Sequence, residues 1–195
     1  MPAAILDAIQ RRFACHAFAA DKPLSADEMA VLLQAGRLAP SGFGLEPWRF
    51  IRVTDAPSRA AVAHACFDQP AATSAAAFIV IVALVAALDP DSDYVRARFE
   101  AEARGRDSAP VYQAYRAHYR ADTIAAWAQG QCNFAAAHIL LQAADMGLGS
   151  CPIGGFDAAA LTAALSIPPG ETPALVIALG HCNDTQPERL RKPLA

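Results

Sequence analysis

The stretch 127–157, WAQGQCNFAAAHILLQAADMGLGSCPIGGFD, constrains this chain more than any other. Its first part carries apolar residues at helical spacing on more than one face. Phe134, Ala137, Leu141, Ala144 and Leu148 form one row, and Ala136, Ile139, Leu140 and Ala143 another. Only a narrow polar stripe interrupts them: Gln131, His138, Gln142 and Asp145. A helix with so little polar surface belongs in a core or beneath a partner subunit. The pattern predicts a helix over 127–148 that stops at Gly147 and Gly149, glycine being the usual residue just past a helix end. The CPIGGFD that follows at 151–157 reads as a loop whose bare backbone a flat ligand can approach, with Asp157 placed to cap the next helix.

The rest of the chain surrounds that helix. Residues 2–13 have an amphipathic helical pattern. Ser25 and Glu28 make a capping box for a helix carrying Met29, Leu32, Leu33 and Leu38. APSGFGLEPW at 39–48 is too rich in Pro and Gly for a regular element. Residues 49–53 alternate as a strand does, and 57–67 suit a short helix. The apolar runs at 78–84 and 173–180 read as buried central strands. Strands scattered among more numerous helices give an α+β or α/β class in three layers. Residues 89–122 differ: they hold thirteen of the 35 charged residues and all four tyrosines. They form a helical excursion from a single domain spanning 1–195. Tyr112, Tyr115 and Tyr119 share one helical face there, which can either line a channel or dock the excursion onto the core.

Composition excludes several classes. A chain of 195 residues suffices for one domain with a sizeable core. A net charge of −3 leaves no basic footprint for nucleic acid. The longest apolar run, 75–88, is fourteen residues, too short to span a bilayer. The N-terminus has Asp7 where a signal peptide would be unbroken and apolar. Five cysteines at 15, 66, 132, 151 and 182, with no CxxC pair, read as reduced thiols in the cytoplasm. His64 and Cys66, or His181 and Cys182, lack the second pair a zinc site needs, so no metal is expected. No nucleotide fingerprint or nucleophile elbow is present. What remains is distributed: Arg11 and Arg12 near one end, Arg189, Arg191 and Lys192 near the other, and two Gly-rich loops at 40–47 and 152–155. Paired arginines suit a phosphate, and the loops suit a planar heterocycle.

In this order, these pieces resemble the FMN-dependent nitroreductase family. RRFACHAF resembles its opening basic motif, APSGFGLEPWRF its APSSxNxQPWxF loop, SCPIGGFD its second flavin loop, and RLRKPL its closing basic motif. The resemblance implies a small mixed β-sheet wrapped by helices, and a homodimer built on the long helix with a domain-swapped C-terminal tail. Two FMN molecules would lie at the dimer interface. Arg12, Phe13, Ala14 and His16 would meet the ribityl phosphate, with Arg189 and Arg191. Ser41, Gly42 and Gly44 would line the ring edge, Gln69 the pyrimidine side, and Pro152, Ile153, Gly154 and Gly155 would face N5. Phe43, Tyr112 and Tyr115 would contact the substrate. Ala14 stands where the family has a hydroxyl, Gly44 where many members have Asn, and Gly154 where Glu is common. Backbone contacts must therefore carry more of the binding. The implied activity passes hydride from NAD(P)H through flavin N5 to an electron-poor acceptor such as a nitroaromatic or quinone, with no protein residue required as catalytic acid or base. Dehalogenation, flavin fragmentation, activated double-bond reduction and a non-catalytic flavin carrier are the alternatives. The remaining partner is a small-molecule acceptor; no nucleic acid and no membrane are expected.

Overall fold

The computed structural model describes residues 4–19 and 21–193. Its centre is a sheet of β1 (Trp48–Val53), β2 (Ala77–Ala83), β3 (Gly149–Ile153) and β4 (Thr172–Gly180), in the order β1-β2-β4-β3. These strands pair antiparallel throughout, and among the described residues the parallel element is the isolated bridge of Ala14 to Ser150 at the β3 edge. β2 and β4 lie inside the sheet, which is why both are nearly unbroken apolar runs; every β2 residue is buried.

The period-2 alternation of β2 feeds two cores. Ile79 and Ile81 face one layer, with α2 (Ala26–Arg37), α5 (Asp93–Ala103), α6 (Ala109–His118) and α7 (Ile124–Asp145). Phe78, Val80 and Val82 face the other, with α3 (Ala56–Ala65), α4 (Pro70–Thr73) and α8 (Ala158–Ala164). The three layers follow. Local chemistry sets the boundaries. Ser25 and Glu28 form the expected capping box of α2, Asp55 caps α3 through the Ser58 amide, and Asp157 caps α8 through Ala159 and Ala160. α7 starts and ends earlier than its apolar pattern predicts. The Leu148 amide bonds back to the Ala143 carbonyl and Gly147 takes a φ of 72°, the usual double closure of a helix end. α1 (Ala4–Arg11) packs along α7; the first residues of the helix expected over 2–13 lie outside the described residues.

The loop expected at 151–157 is only half a loop. Residues 149–153 pair with β4 as an edge strand, burying Cys151 and Ile153, and an edge tolerates Pro152 because its missing N–H faces away from the ladder.

Candidate functional site

The N-terminal half of the site begins where α1 ends. Arg12 leaves the helix into an extended segment in which Cys15 and Phe18 are buried while Ala14 and His16 are exposed. Arg12, Ala14 and His16 thus share one face. Arg12, Phe13 and Ala14, together with residues 186–191 of the tail, line a cavity of about 310 Å³. Burial and then repulsion from Arg189 and Arg191 lower the pKa of Arg12. Three guanidiniums gathered around one cavity repel each other, and an anion bound among them removes that cost. Arg189 has a second task. Its Nη2 donates to the carbonyls of Ile9, Gln10 and Arg12 at 3.2, 2.9 and 2.5 Å, so it caps the free end of α1. Arg11 turns elsewhere, pairing with Asp7 and lying 3.9 Å from Asp145. Through Arg191 the tail lies on this chain's own α1, so the crossing expected of it is not seen along that length.

The expectation of reduced thiols is corrected here. Cys15 and Cys182, 167 positions apart in sequence, form a disulfide with their Cα atoms 6.0 Å apart. Sequence spacing could not show this, because both cysteines are gathered by the β3 edge: the Cys15 amide donates to the Ser150 carbonyl, and Phe18 bridges to Cys182. A Cβ on Gly149 would come within 2.7 Å of the Cys182 Cβ, so glycine is what leaves room for the pair. Cys66, Cys132 and Cys151 are free and buried. Asp184 lies beside the two sulfurs, but its carboxylate accepts the His16 and Ala17 amides at 2.5 and 3.0 Å, and the sulfurs are spent on each other.

The second half is the loop 41–46, which the structure holds in a fixed shape. The Gly42 amide donates to Gln131 Oε1 at 2.7 Å, and a Cβ on Gly42 would strike the Trp127 ring at 2.7 Å. Ser41 Oγ accepts the Glu46 amide at 2.7 Å. From α5, Arg98 donates to the Gly44 carbonyl and to Glu46 Oε1 at 2.8 Å, while the Tyr94 hydroxyl donates to the Leu45 and Glu46 carbonyls. Gln131, Arg98 and Tyr94 belong to none of the sequence motifs. Only Gln131 left a signal, as the first member of the polar stripe on an otherwise apolar helix.

Phe43 sits at a φ of 58° with its ring 5.3 Å from that of Tyr115 and 5.4 Å from that of His118, which in turn lies 5.7 Å from Trp127. Tyr115 is corrected as a substrate contact. It is wholly buried, its hydroxyl donates to the Leu88 carbonyl at 2.5 Å, and burial pushes its pKa up. Tyr112 likewise spends its hydroxyl on the Pro90 carbonyl, with Arg116 over its ring. Both dock the excursion. On the exposed side the His118 ring lies against Phe43, and Trp127 lies against His118 in turn.

The third piece is 152–155. Ile153 is buried in the core, so its side chain is not offered to a ligand, while Gly154 and Gly155 are exposed with open space where a Cβ would stand. The Asp157 amide ties this loop to the end of α3 at Ala65. The Gln69 side chain turns back to the Cys66 carbonyl at 2.9 Å.

One chain does not bring all of this together. The 41–46 loop is anchored at Gln131 on α7, whereas Arg12 lies by Ala144 and Gly147 at its far end. Thirteen helical steps separate Gln131 from Ala144, about 20 Å at 1.5 Å each. Between the ends, α1 and α7 expose Ile5, Leu6, Ile9 and Phe134, and a groove of about 520 Å³ runs between α1, α2 and α7.

An antiparallel sheet clothed by helices, with an arginine cavity toward one end of its main helix and a braced glycine loop toward the other, defines an α+β fold whose candidate site lies in separated parts. The chain belongs to the nitroreductase family, whose model matches residues 9–181. It is 29% identical over 190 residues to an oxygen-insensitive NADPH nitroreductase of Helicobacter acinonychis, covering 95% of this chain and 90% of that protein. A nitroreductase-like protein of Streptococcus mutans superimposes with a TM-score of 0.86 at 20% identity, over 96% of this chain and 93% of the other. A structure from Exiguobacterium sibiricum, solved in complex with FMN, gives a TM-score of 0.81 at 21% identity over 97% and 93%. The described residues contain no helix long and apolar enough to cross a membrane.

Proposed function

We propose that this protein is an FMN-dependent oxidoreductase that takes reducing equivalents from NAD(P)H and reduces an electron-poor acceptor such as a nitroaromatic or a quinone. The observation that carries it is the convergence of Arg12, Arg189 and Arg191 on one cavity. Such a donor set fits a terminal phosphate. The names of relatives support the reading, an NADPH nitroreductase among them, as does the structural neighbour solved with FMN.

FMN, when bound, supplies the two-electron chemistry between nicotinamide and acceptor. The chain's own residues bind and orient. Arg12 and Arg191 neutralise the phosphate, and Arg189 does so while fixing α1. Ala14 and His16 lie on the face of Arg12, and Phe13 lines the cavity beside them. Gly154 and Gly155 leave their amides uncovered for polar atoms of the ring, and Gln69 stands on the adjoining turn.

The 41–44 loop completes the site from a second copy. On one chain it sits about 20 Å along α7 from Arg12, and a second α7 running the other way brings the two ends side by side. The surface supports a homodimer: 10640 Å² is exposed, against about 8,900 Å² expected for a compact monomer of this size. In that arrangement Ser41, Gly42 and Gly44 meet the ring edge and Phe43 stands beside the acceptor. The cytoplasm, where nicotinamide dinucleotides are abundant, is the compartment this function assigns.

The test is steady-state NAD(P)H oxidation by FMN-loaded protein with menadione and a nitroaromatic, with products identified. Turnover that requires both FMN and acceptor supports the proposal. Tight FMN binding without turnover makes the protein a flavin carrier instead.

A further inference from the structure

The Cys15–Cys182 pair takes no part in that function, yet it stands at the root of the arginine cavity. Cys15 lies between Ala14 and His16, and Cys182 opens the tail that carries Arg189 and Arg191. Among the described residues, the other bonds between 15–19 and 181–184 are a few hydrogen bonds. The Ala19 amide meets the His181 carbonyl at 2.8 Å, the Asn183 amide meets the Ala17 carbonyl at 2.9 Å, and Asp184 accepts two amides. Beyond Asp184 the tail reaches the 9–12 segment through Gln186 and Arg189. These bonds must oppose the mutual repulsion of three guanidiniums.

We propose that Cys15–Cys182 is a thiol–disulfide exchange site that sets how firmly the arginine cavity is assembled, so that its reduction loosens the tail and weakens FMN retention. This rests on the reading that the cavity takes the FMN phosphate. The geometry favours one direction of attack. Cys15 is fully buried, whereas Cys182 is partly exposed and lines a small opening of about 150 Å³ with Arg11, Arg12 and Phe13. A thiolate of an external dithiol, drawn by the two arginines, reaches the Cys182 sulfur. The Sγ–Sγ bond breaks, and Cys15 leaves as a thiolate and takes a proton. The second thiol of the reductant then displaces Cys182 from the mixed disulfide, and Cys182 takes a proton in turn. Two electrons pass from the dithiol, which becomes a disulfide, to the cystine, which becomes two thiols. The remaining cysteines do not compete. All three are buried, and burial pushes the Cys66 thiol up to about 11 and the Cys132 thiol up to about 12. In a reducing compartment a disulfide of this kind forms and breaks with the redox state instead of serving as a permanent staple.

The test compares oxidised and dithiothreitol-reduced wild type, and Cys182→Ser, by non-reducing peptide mapping, FMN titration and tryptic cleavage after Arg189 and Arg191 in the apo protein. The oxidised protein should yield a Cys15–Cys182 cross-linked peptide. Reduction should weaken FMN binding about three- to tenfold, by loss of preorganisation, and speed tail cleavage. Cys182→Ser should match the reduced protein and ignore reductant. Lack of the cross-linked peptide in oxidised protein overturns the proposal. So does equal FMN affinity in both redox states, even when the tail responds. FMN binding in neither state, with a responsive tail, sinks the flavin reading and the coupling together. The wild-type comparison holds whether or not the variant folds.

Discussion

The Gly42 amide donates to Gln131 Oε1 across 2.7 Å, joining residues 89 positions apart and fixing the glycine loop to the central helix. Gln131→Leu leaves that partly buried amide without an acceptor, which costs about 1–3 kcal/mol. For a chain of this length each kcal/mol lowers Tm by about 2–4 °C. Thermal melts should show that fall, and Gln131→Glu, which keeps an acceptor, should retain most of the stability. Unchanged melting of Gln131→Leu would show that the loop is held by Arg98 and Tyr94 alone.

Arg12 and Arg11 are adjacent but do different things. Arg11 is paired with Asp7, while Arg12 opens onto the tail cavity. Arg12→Ala should weaken FMN roughly tenfold or more by loss of a charge-assisted bond worth about 1.5–3 kcal/mol, and Arg11→Ala much less. Flavin fluorescence titration measures both. Equal, small effects would move the phosphate away from Arg12.

Tyr115 and Phe43 touch, yet they should separate kinetically. Tyr115→Phe strips the partner from the Leu88 carbonyl and should cost about 1–2 kcal/mol of stability, with acceptor preference unchanged. Phe43→Ala and His118→Ala should shift the ratio of kcat/KM between quinone and nitro acceptors while flavin content holds. Wild-type ratios in both of the latter variants would remove this aromatic group from the acceptor site.

Two exposed carboxylates tune the acid side of stability. Hydrogen bonds from the Ser25 amide and hydroxyl hold Glu28 below the ordinary 4.5, and the Ser58 amide and side chain hold Asp55 below the ordinary 3.8. A carboxylate with a depressed folded-state pKa contributes stability that is present above its unfolded value and lost as pH falls through the folded one. Denaturant midpoints should therefore fall from about pH 4.5 downward. Glu28→Gln and Asp55→Asn should lie below wild type near neutrality and converge on it in acid. Parallel curves for wild type and variants would show that these caps do not titrate with folding.

Phe134 is half exposed at the middle of the outer face of α7. Light scattering of the wild type at micromolar concentration should give the dimer mass, with an interface above about 2,000 Å² as permanent dimers have. Phe134→Glu should shift the mass toward monomer and release FMN together with it, since the 41–44 loop then comes from no second copy. A monomeric wild type that still binds FMN tightly would refute the shared site.

The local chemistry of the chain was legible in its residues. Ser25 with Glu28, Asp157 before its alanines, Gly147 after α7 and the apolar runs of β2 and β4 each bias backbone geometry over a few positions. The four ordered motifs named the family for the same reason: they are short, local and consecutive. The tertiary structure alone decided the rest. It paired Cys15 with Cys182, because the β3 edge collects segments 167 positions apart. It buried Tyr115 and left His118 beside Phe43, since one helical face reads alike whether it docks or lines a channel until its neighbours are present. It turned Arg189 onto the carbonyls of α1, and it set the arginine cavity and the glycine loop at opposite ends of α7. Spacing along a sequence encodes period and turn; which distant groups share a surface depends on how the layers close, and no local pattern carries that information.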